Sequence, residues 1–293
     1  MESNFLTAVF LPLSLFVIMF GMGLGLRLND FKRVFIEPKA AIAGLIVQLI
    51  LLPIVGFALA TLFPLSPDLA VGVTILAACP GGPTSNMITY LVKGNVALSV
   101  TLTAISSLIT VFTIPLIVNF SMQKFIGEET AFRLPFVTTI IQIAIITLIP
   151  IAIGMILHYY QPKFAAKAEK TVKWLSLFFL TLIIVGLLIK ERANVVSFFY
   201  QVGGVMLTLN VVMMFIGYQI GTVTKLDRPS ARAIAIEVGI QNGTMAIAIA
   251  SSPAWLNMPV MAIPAAIYSL IMYPTSAVFA RFVRQRQTVV ERS

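Results

Sequence analysis

Charge is scarce in this sequence. Only 11% of its 293 residues are charged and 59% are hydrophobic, whereas soluble globular domains carry about 25% charged residues. A soluble chain of this length could not bury so much apolar surface. The composition therefore excludes a soluble globular protein and predicts an all-α polytopic membrane protein.

Side chains that bind zinc are also scarce, since cysteine and histidine each occur once, as Cys79 and His158. A lone cysteine excludes an internal disulfide bond. The two side chains cannot supply the four nitrogen and sulfur ligands of a structural zinc site. No nucleophile or intramembrane-protease motif is present, so we expect neither an enzyme nor a zinc protein.

Long apolar runs make up most of the chain. A helix needs about 20 apolar residues to cross the hydrocarbon core of a bilayer, and nine runs meet this requirement. The sequence therefore predicts nine transmembrane helices, near residues 5–26, 40–63, 69–92, 95–119, 134–157, 172–189, 202–224, 230–251 and 259–283.

The basic residues predict the orientation of these helices, because lysine and arginine concentrate in cytoplasmic loops. With the N-terminus outside and the C-terminus in the cytoplasm, the outer loops hold only Lys124, Arg133, Lys190 and Arg192 of the 20 basic residues. The net charge of +9 then needs no nucleic acid as a partner. We expect a multi-pass protein of the cell (inner) membrane, with the lipid bilayer as its surroundings.

Two predicted helices are interrupted near their middle. The third contains PGGP at residues 80–83, and the eighth contains GIQNGT at residues 239–244. Proline lacks an amide proton, and glycine favours non-helical backbone. The two helices run in opposite directions in the predicted orientation, one in each half of the chain. Paired interruptions of this kind indicate the binding site of a secondary transporter.

Glu237 is the one acidic residue well inside a predicted span, since the others fall in predicted loops or termini. It lies roughly 10 Å into the membrane, counted from Ser230 at 1.5 Å per residue. A carboxylate at that depth costs at least a few kcal/mol unless it is neutralised. The bulk of the spans offers no lysine or arginine to pair with it. We therefore expect Glu237 to bind a cation or a proton.

Side chains with oxygen atoms accumulate near the two interruptions and in the second and fourth spans. Sodium and other hard cations prefer several oxygen ligands, and broken helices free backbone carbonyl groups that can join them. Sodium is therefore favoured, and a proton carried by Glu237 stays open. The candidate side chains are Gln48, Ser85, Asn86, Ser99, Thr103, Gln241 and Asn242.

Two long segments resemble the signature regions of the bile acid:sodium symporter family. They are ACPGGPTSNMITYLVKGNVALSVTLTA, residues 78–104, and IEVGIQNGTMA, residues 236–246. The similarity extends through GMGLGLRLNDFKRV near the N-terminus and through the last predicted helix, so it covers nearly the whole chain. The resemblance implies an inverted-repeat fold in which the two broken helices cross.

The resemblance also implies that residues 1–293 form one transporter unit with a core domain and a panel domain. The core would contain the predicted helices at 40–63, 69–92, 95–119, 202–224, 230–251 and 259–283. The panel would contain those at 5–26, 134–157 and 172–189. The substrate would bind beside the crossing, in the cleft between the two domains.

By the family pattern, two sodium ions would bind behind the crossing. The first would be held by Ser85, Asn86, Ser99, Thr103 and Glu237. The second would be held by Gln48, Glu237 and Gln241, with backbone carbonyl groups near Val238 and Ile240. The substrate would contact Pro83, Thr84, Asn242, Met272 and Tyr273.

The function that the resemblance implies is sodium-coupled symport of an organic anion by alternating access. The anion would be a bile-acid-like steroid, or a smaller carboxylate such as pantoate or a keto acid. Pro83-Thr84 and Met272-Tyr273 depart from the Thr-Ala and His-Asn pairs of relatives, which leaves the substrate open. A proton-coupled carrier that uses Glu237 and a non-transporting membrane sensor are the alternatives.

Overall fold

The computed structural model describes residues 9–127, 134–190, 192 and 194–290. These residues form helices and their connections, which confirms the predicted helical class, and residues 5–8 of the first predicted span lie outside them. The α-helices are α1 (Leu11–Gly25), α2 (Leu28–Ile36), α3 (Pro38–Ile46), α4 (Leu52–Leu62), α5 (Pro67–Ala78), α6 (Ser85–Leu91), α7 (Val96–Phe125), α8 (Phe136–Tyr160), α9 (Pro162–Lys190), α10 (Val195–Val223), α11 (Arg228–Gly239), α12 (Gly243–Ser251) and α13 (Ile263–Val290).

Within the described ranges, six helical segments are long and apolar enough to cross a membrane, and a bent pair is a seventh candidate. The bent pair is α1 and α2, whose axes meet at 64°. The protein is therefore a multi-pass membrane protein. The six segments are Pro38–Leu62, Val96–Phe125, Phe136–Tyr160, Pro162–Leu187, Val195–Val223 and Pro259–Val283.

The outer surface of the helix bundle is apolar, as lipid contact requires. Helix α8 gives the clearest example, because isoleucines at every third or fourth position are exposed along one face. Such spacing puts the side chains on one stripe of a helix. The stripe consists of Ile141, Ile145, Ile149, Ile153 and Ile156.

Helix α9 extends beyond the predicted span at 172–189, because it begins at Pro162. Proline is favourable in the first turn of a helix, where its missing amide proton would have no partner. Lys163, Lys167 and Glu169, which the sequence assigns to a loop, therefore lie on the first turns of α9.

Helices α1, α5 and α10 make the main contacts between helices. Helix α1 lies against α8 and α9, and α8 contacts both α9 and α7. Helix α5 packs against α4 and α7, and α10 packs against α11 and α13. Gly23 and Gly154 allow the close approach of α1 and α8, because a Cβ atom on either would collide with the backbone of the other helix.

The two interrupted helical segments meet at their breaks, a point called the crossing below. Helix α5 ends at Ala78 and α6 begins at Ser85, while α11 ends at Gly239 and α12 begins at Gly243. The breaks lie antiparallel, with Gly81 opposite Gln241. Two backbone hydrogen bonds join them: the amide of Gly82 donates to the carbonyl of Ile240 over 2.7 Å, and that of Asn242 donates to the carbonyl of Pro80 over 3.0 Å. Backbone that left a helix is thus satisfied by the other break.

Candidate functional site

The carboxyl group of Glu237 is completely buried beside the crossing and accepts three hydrogen bonds from hydroxyl groups. Ser85 at the start of α6 donates to Oε2 over 2.8 Å. Ser99 of α7 donates to the same oxygen over 2.9 Å, and Thr103, one turn later, donates to Oε1 over 2.6 Å. These four side chains are 0% exposed. Four of the five residues predicted to hold the first sodium ion are therefore in direct contact with one another in the structure.

Asn86, the fifth predicted residue, follows Ser85 on α6. Its Oδ1 atom is buried and has no hydrogen-bond partner among the described residues. A buried acceptor without a partner costs about 1–3 kcal/mol, so its retention calls for a ligand. An amide oxygen is a ligand type that sodium accepts, and the chemistry of this set fits the predicted ion.

Gly81 makes room for the carboxyl group of Glu237. A Cβ atom at position 81 would collide with Oε1 of Glu237. Gly243, at the start of α12, has a similar role, because a Cβ atom there would collide with the hydroxyl of Ser269. The glycines of the two breaks are therefore required by close approach at the site.

A second polar cluster lies at the other side of the break, around two buried glutamines. The side-chain nitrogen of Gln48 donates to Oε1 of Gln241 over 2.9 Å and to the carbonyl of Cys79 over 3.2 Å. Gln241 donates to the carbonyl of Val238 over 2.8 Å. Gln48 lies in a π-helical turn, Val47–Leu51, between α3 and α4, and such turns frequently occur at functional sites.

The second predicted sodium set is thus partly assembled. Gln241 contacts both Gln48 and the carbonyl of Val238 by hydrogen bonds. The carbonyl of Ile240, in contrast, accepts the amide of Gly82 in the bridge between the breaks. The backbone carbonyl of Glu237 lies 3.5 Å from the side-chain nitrogen of Gln241.

Among the residues that the structure describes, an ion pair joins Arg33 and Glu37, and none involves Glu237. No group of three or more His, Cys, Asp or Glu residues converges among the described residues. The site therefore offers hydroxyl, amide and carboxyl oxygens, which suit a hard monovalent cation rather than zinc.

A cleft separates α1 and α9 from α6 and α7. It encloses about 420 Å³, and Asn86 and Glu169 are among its lining residues. A smaller cavity of about 40 Å³ continues from it towards α12. All five residues predicted to contact the substrate line this smaller cavity, namely Pro83, Thr84, Asn242, Met272 and Tyr273.

Three of these five residues also form hydrogen bonds at the walls of the cavity. Asn242 caps α12, since its Oδ1 accepts the amide of Met245 over 3.0 Å, while its buried Nδ2 has no partner among the described residues. The hydroxyl groups of Thr84 and Tyr273 lie 3.4 Å apart across the cavity wall. A hydrogen-bond donor and the N-terminus of α12 therefore face a space where an anion could bind.

Three residues near the site are not predictable from the sequence. Asn210 of α10 and Tyr268 of α13 contact the end of α11. Arg232 is 2% exposed and donates to the carbonyl groups of Val92 and Lys93, at the end of α6, although the sequence counts it with the cytoplasmic basic residues. A lone asparagine or tyrosine in an apolar run gives little signal, because its partner lies far along the chain.

Known proteins resemble this chain along most of its length. Residues 12–198 match the sequence profile of the sodium bile acid symporter family. The matched region includes the first break and the Ser85–Thr103 hydroxyl groups, while Glu237 and the second break lie beyond it.

Individual relatives extend the match across both breaks. The "Uncharacterized sodium-dependent transporter YocS" of Bacillus subtilis (strain 168) is 33% identical over 261 residues, which cover 89% of this chain and 78% of that protein. The human ileal sodium/bile acid cotransporter is 26% identical over 293 residues, covering 96% of this chain and 82% of its own length. The rice chloroplastic "Probable sodium/metabolite cotransporter BASS1" is 29% identical, and the match covers 86% of this chain but only 60% of that protein.

Proposed function

Because this chain belongs to the sodium bile acid symporter family and is thus a sodium-dependent solute cotransporter of a membrane, not an enzyme, we propose that it carries a small organic anion together with sodium by alternating access. The strongest support comes from Glu237. Its carboxyl group is buried among three hydroxyl donors and lies beside an amide oxygen that has no partner among the described residues. A cation resolves both features.

The proposed architecture has nine transmembrane segments. Seven are the candidate spans of the fold, with α1 as the first. The other two are the broken segments, α5 with α6 and α11 with α12, whose halves are each too short to cross a bilayer alone. In the proposed orientation the N-terminus is outside and the C-terminus is cytoplasmic, in the cell (inner) membrane.

An inverted repeat is supported by matching contacts in the two halves. Gln48, on the segment before the first broken one, donates to the carbonyl of Cys79 just after α5. Asn210, on the segment before the second broken one, donates to the carbonyl of Gly239 at the end of α11. The same device thus holds the end of the first half-helix in each half of the chain, as a repeat predicts.

The proposed core and panel domains are supported by the packing. The panel would consist of α1, α8 and α9, which pack together. The core would contain the segments at Pro38–Leu62, α5–α7 and α10–α13. The cleft lined by Asn86 and Glu169 lies between the two groups, so a rocking motion of one against the other would open and close it.

Two sodium ions would bind in the core. Ser85, Asn86, Ser99, Thr103 and Glu237 would hold the first, and Gln48, Glu237, Val238, Ile240 and Gln241 the second. Sodium would draw the two breaks and α7 into one arrangement and so pre-form the anion site, which is a coupling free energy between ligands. Each sodium ion that moves down a potential of 100 mV supplies about 2.3 kcal/mol.

The anion would bind in the small cavity beside the crossing. The unpartnered Nδ2 of Asn242 and the N-terminus of α12 favour a carboxylate. Thr84 and Tyr273 supply hydroxyl groups, while Pro83 and Met272 supply apolar contact. A bile-acid-like steroid or a smaller acid such as pantoate or a keto acid would extend from there into the larger cleft.

The first test is thermal unfolding of the purified protein in sodium against potassium, with Glu237→Gln alongside. A ligand that binds only the folded state stabilises it by about 2.7 kcal/mol at a concentration of 100 Kd, so a sodium-specific rise in Tm is expected in the native protein and not in the variant. Equal Tm values in both salts for the native protein would contradict sodium coupling and favour a proton on Glu237. Counterflow of the anion in proteoliposomes then separates a carrier from a sensor that binds without transport.

A further inference from the structure

Asn210, Tyr268 and the carbonyl of Gly239 form a closed triangle of hydrogen bonds. The side-chain nitrogen of Asn210 donates to the Gly239 carbonyl over 2.7 Å and to the Tyr268 hydroxyl over 3.0 Å. The Tyr268 hydroxyl donates to the same carbonyl over 3.0 Å. Both side chains are 0% exposed, so α10 and α13 together hold the last residue of α11.

The amide of Asn210 is retained at a cost. Its Oδ1 atom is buried and lacks a partner among the described residues, and a buried polar atom in that state is unfavourable. The methionines and leucines that surround this part of α10 would avoid this penalty. The position therefore requires the donating side-chain nitrogen of Asn210. The carbonyl of Gly239 can only accept a hydrogen bond, which fixes the orientation of the Asn210 amide.

The triangle determines what the neighbouring carbonyl groups can do. A carbonyl oxygen has two lone pairs, and Asn210 and Tyr268 occupy both at Gly239. The carbonyl of Val238, one residue earlier, faces the side chain of Gln241 instead. The carbonyl of Ile240, one residue later, faces Gly82 of the other break. The hydrogen bonds to the Gly239 carbonyl therefore help to fix the orientation of the peptide groups before and after it.

We propose that Asn210 and Tyr268 are positioning residues for the second sodium site, and this inference rests on the proposed function. They touch neither Gln48 nor Gln241 by a hydrogen bond in the described structure, and they act through the Gly239 carbonyl. When the triangle is lost, the end of α11 gains freedom and the carbonyl groups of Val238 and Ile240 leave the arrangement that a cation needs.

The test measures the apparent sodium Kd, called the sodium midpoint below, from a fit of the rise in Tm against ln(1 + [Na⁺]/Kd). In Asn210→Leu, a variant of similar volume that removes both donors, this midpoint is expected to rise at least about tenfold, because the Gly239 carbonyl loses its shorter hydrogen bond. In Tyr268→Phe, which removes one oxygen atom, the rise is expected to be about two- to fivefold. The Tm in potassium reports structural damage separately from the midpoint.

Matched controls come from the same kinds of side chain elsewhere. Asn119→Leu breaks two hydrogen bonds to the backbone of Leu134, and it should lower Tm in both salts without moving the sodium midpoint. Tyr218→Phe changes a tyrosine of α10 that stacks edge-on against Phe279, and the midpoint should stay the same.

The outcomes are distinct. A lower Tm in potassium with an unchanged sodium midpoint in Asn210→Leu and Tyr268→Phe would assign a purely structural role and overturn the inference. If Asn210→Leu does not fold, an unchanged midpoint in Tyr268→Phe overturns it alone. Failure of the proposed function looks different, because the native protein itself would then show no sodium-specific rise in Tm.

Discussion

The carboxyl group of Glu237 occupies the space that a side chain at Gly81 would need. These residues lie in different halves of the chain, and a Cβ atom on Gly81 would collide with Oε1 of Glu237. Gly81 also lies opposite Gln241 where the breaks cross. A single methyl group at position 81 would therefore disturb both the proposed sodium ligands and the crossing.

Gly81→Ala should weaken sodium binding strongly. Overpacking of a tight site costs about 1–3 kcal/mol, and here the atom displaced is a proposed sodium ligand, so the sodium midpoint in thermal unfolding should rise about tenfold or more. Gly204→Ala is the control, because a Cβ atom there meets nothing within 4 Å. A sodium midpoint in Gly81→Ala equal to that of Gly204→Ala would show that the collision is relieved without affecting the ion.

Asn86→Ala should separate ion binding from folding. The Oδ1 atom of Asn86 has no hydrogen-bond partner among the described residues, so its removal should leave the Tm in potassium nearly unchanged. The sodium-dependent rise in Tm should fall, since one proposed ligand is lost. Asn119→Ala is the opposite case, with a lower Tm in both salts and an unchanged rise. A normal sodium response in Asn86→Ala would remove this residue from the first site.

Gln48→Leu should change the shape of the sodium dependence of uptake. Gln48 contacts Gln241 and the carbonyl of Cys79, and its loss should disable the second site while leaving the hydroxyl groups around Glu237 in contact. Uptake of the organic anion into proteoliposomes should shift from a sigmoidal to a hyperbolic dependence on the sodium concentration. Gln219→Leu, at an exposed glutamine of α10, is the matched control. A sigmoidal curve that persists in Gln48→Leu would argue against a second ion at this cluster.

Arg232→Met should destabilise the protein without changing its response to sodium. Arg232 is 2% exposed, and its guanidinium group donates to the carbonyl groups of Val92 and Lys93. Hydrogen bonds to a charged group contribute about 1.5–3 kcal/mol each, so Tm should fall in sodium and in potassium alike. Arg228→Met changes an exposed arginine of the same helix and should have little effect. Equal Tm values for the two variants would mean that Arg232 adds no stability at the end of α6.

The sequence indicates the polar contacts around Glu237 because their chemistry is local and unusual. Proline and glycine at residues 80–83 forbid a continuous helix, and a carboxylate at Glu237 has few reasons to lie in an apolar run. Ser99 and Thr103 are one turn apart, so both hydroxyl groups reach the same carboxyl group, as the structure has them. Sequence rules predict such contacts where the residues concerned lie within one helical turn or one helix break.

Features that depend on tertiary contacts are not predictable in this way. The 64° bend between α1 and α2 and the π-helical turn that carries Gln48 have no distinctive local sequence. An arginine such as Arg232 is typical of a cytoplasmic loop, yet Arg232 is buried because the end of α6 offers it carbonyl groups that lack partners within the helix. The triangle at Gly239 joins residues from three helices, and no spacing along the chain reveals it.

The crossing also has a consequence for biosynthesis. The chain emerges from the ribosome N-terminus first, so Ser85, Ser99 and Thr103 enter the membrane well before Glu237 is made. Until then their hydroxyl groups lack the acceptor that the finished structure gives them, and Gly82 lacks the carbonyl of Ile240. The first half of the chain therefore cannot form these hydrogen bonds alone, and acquisition of the proposed ion would mark a molecule whose two halves have met.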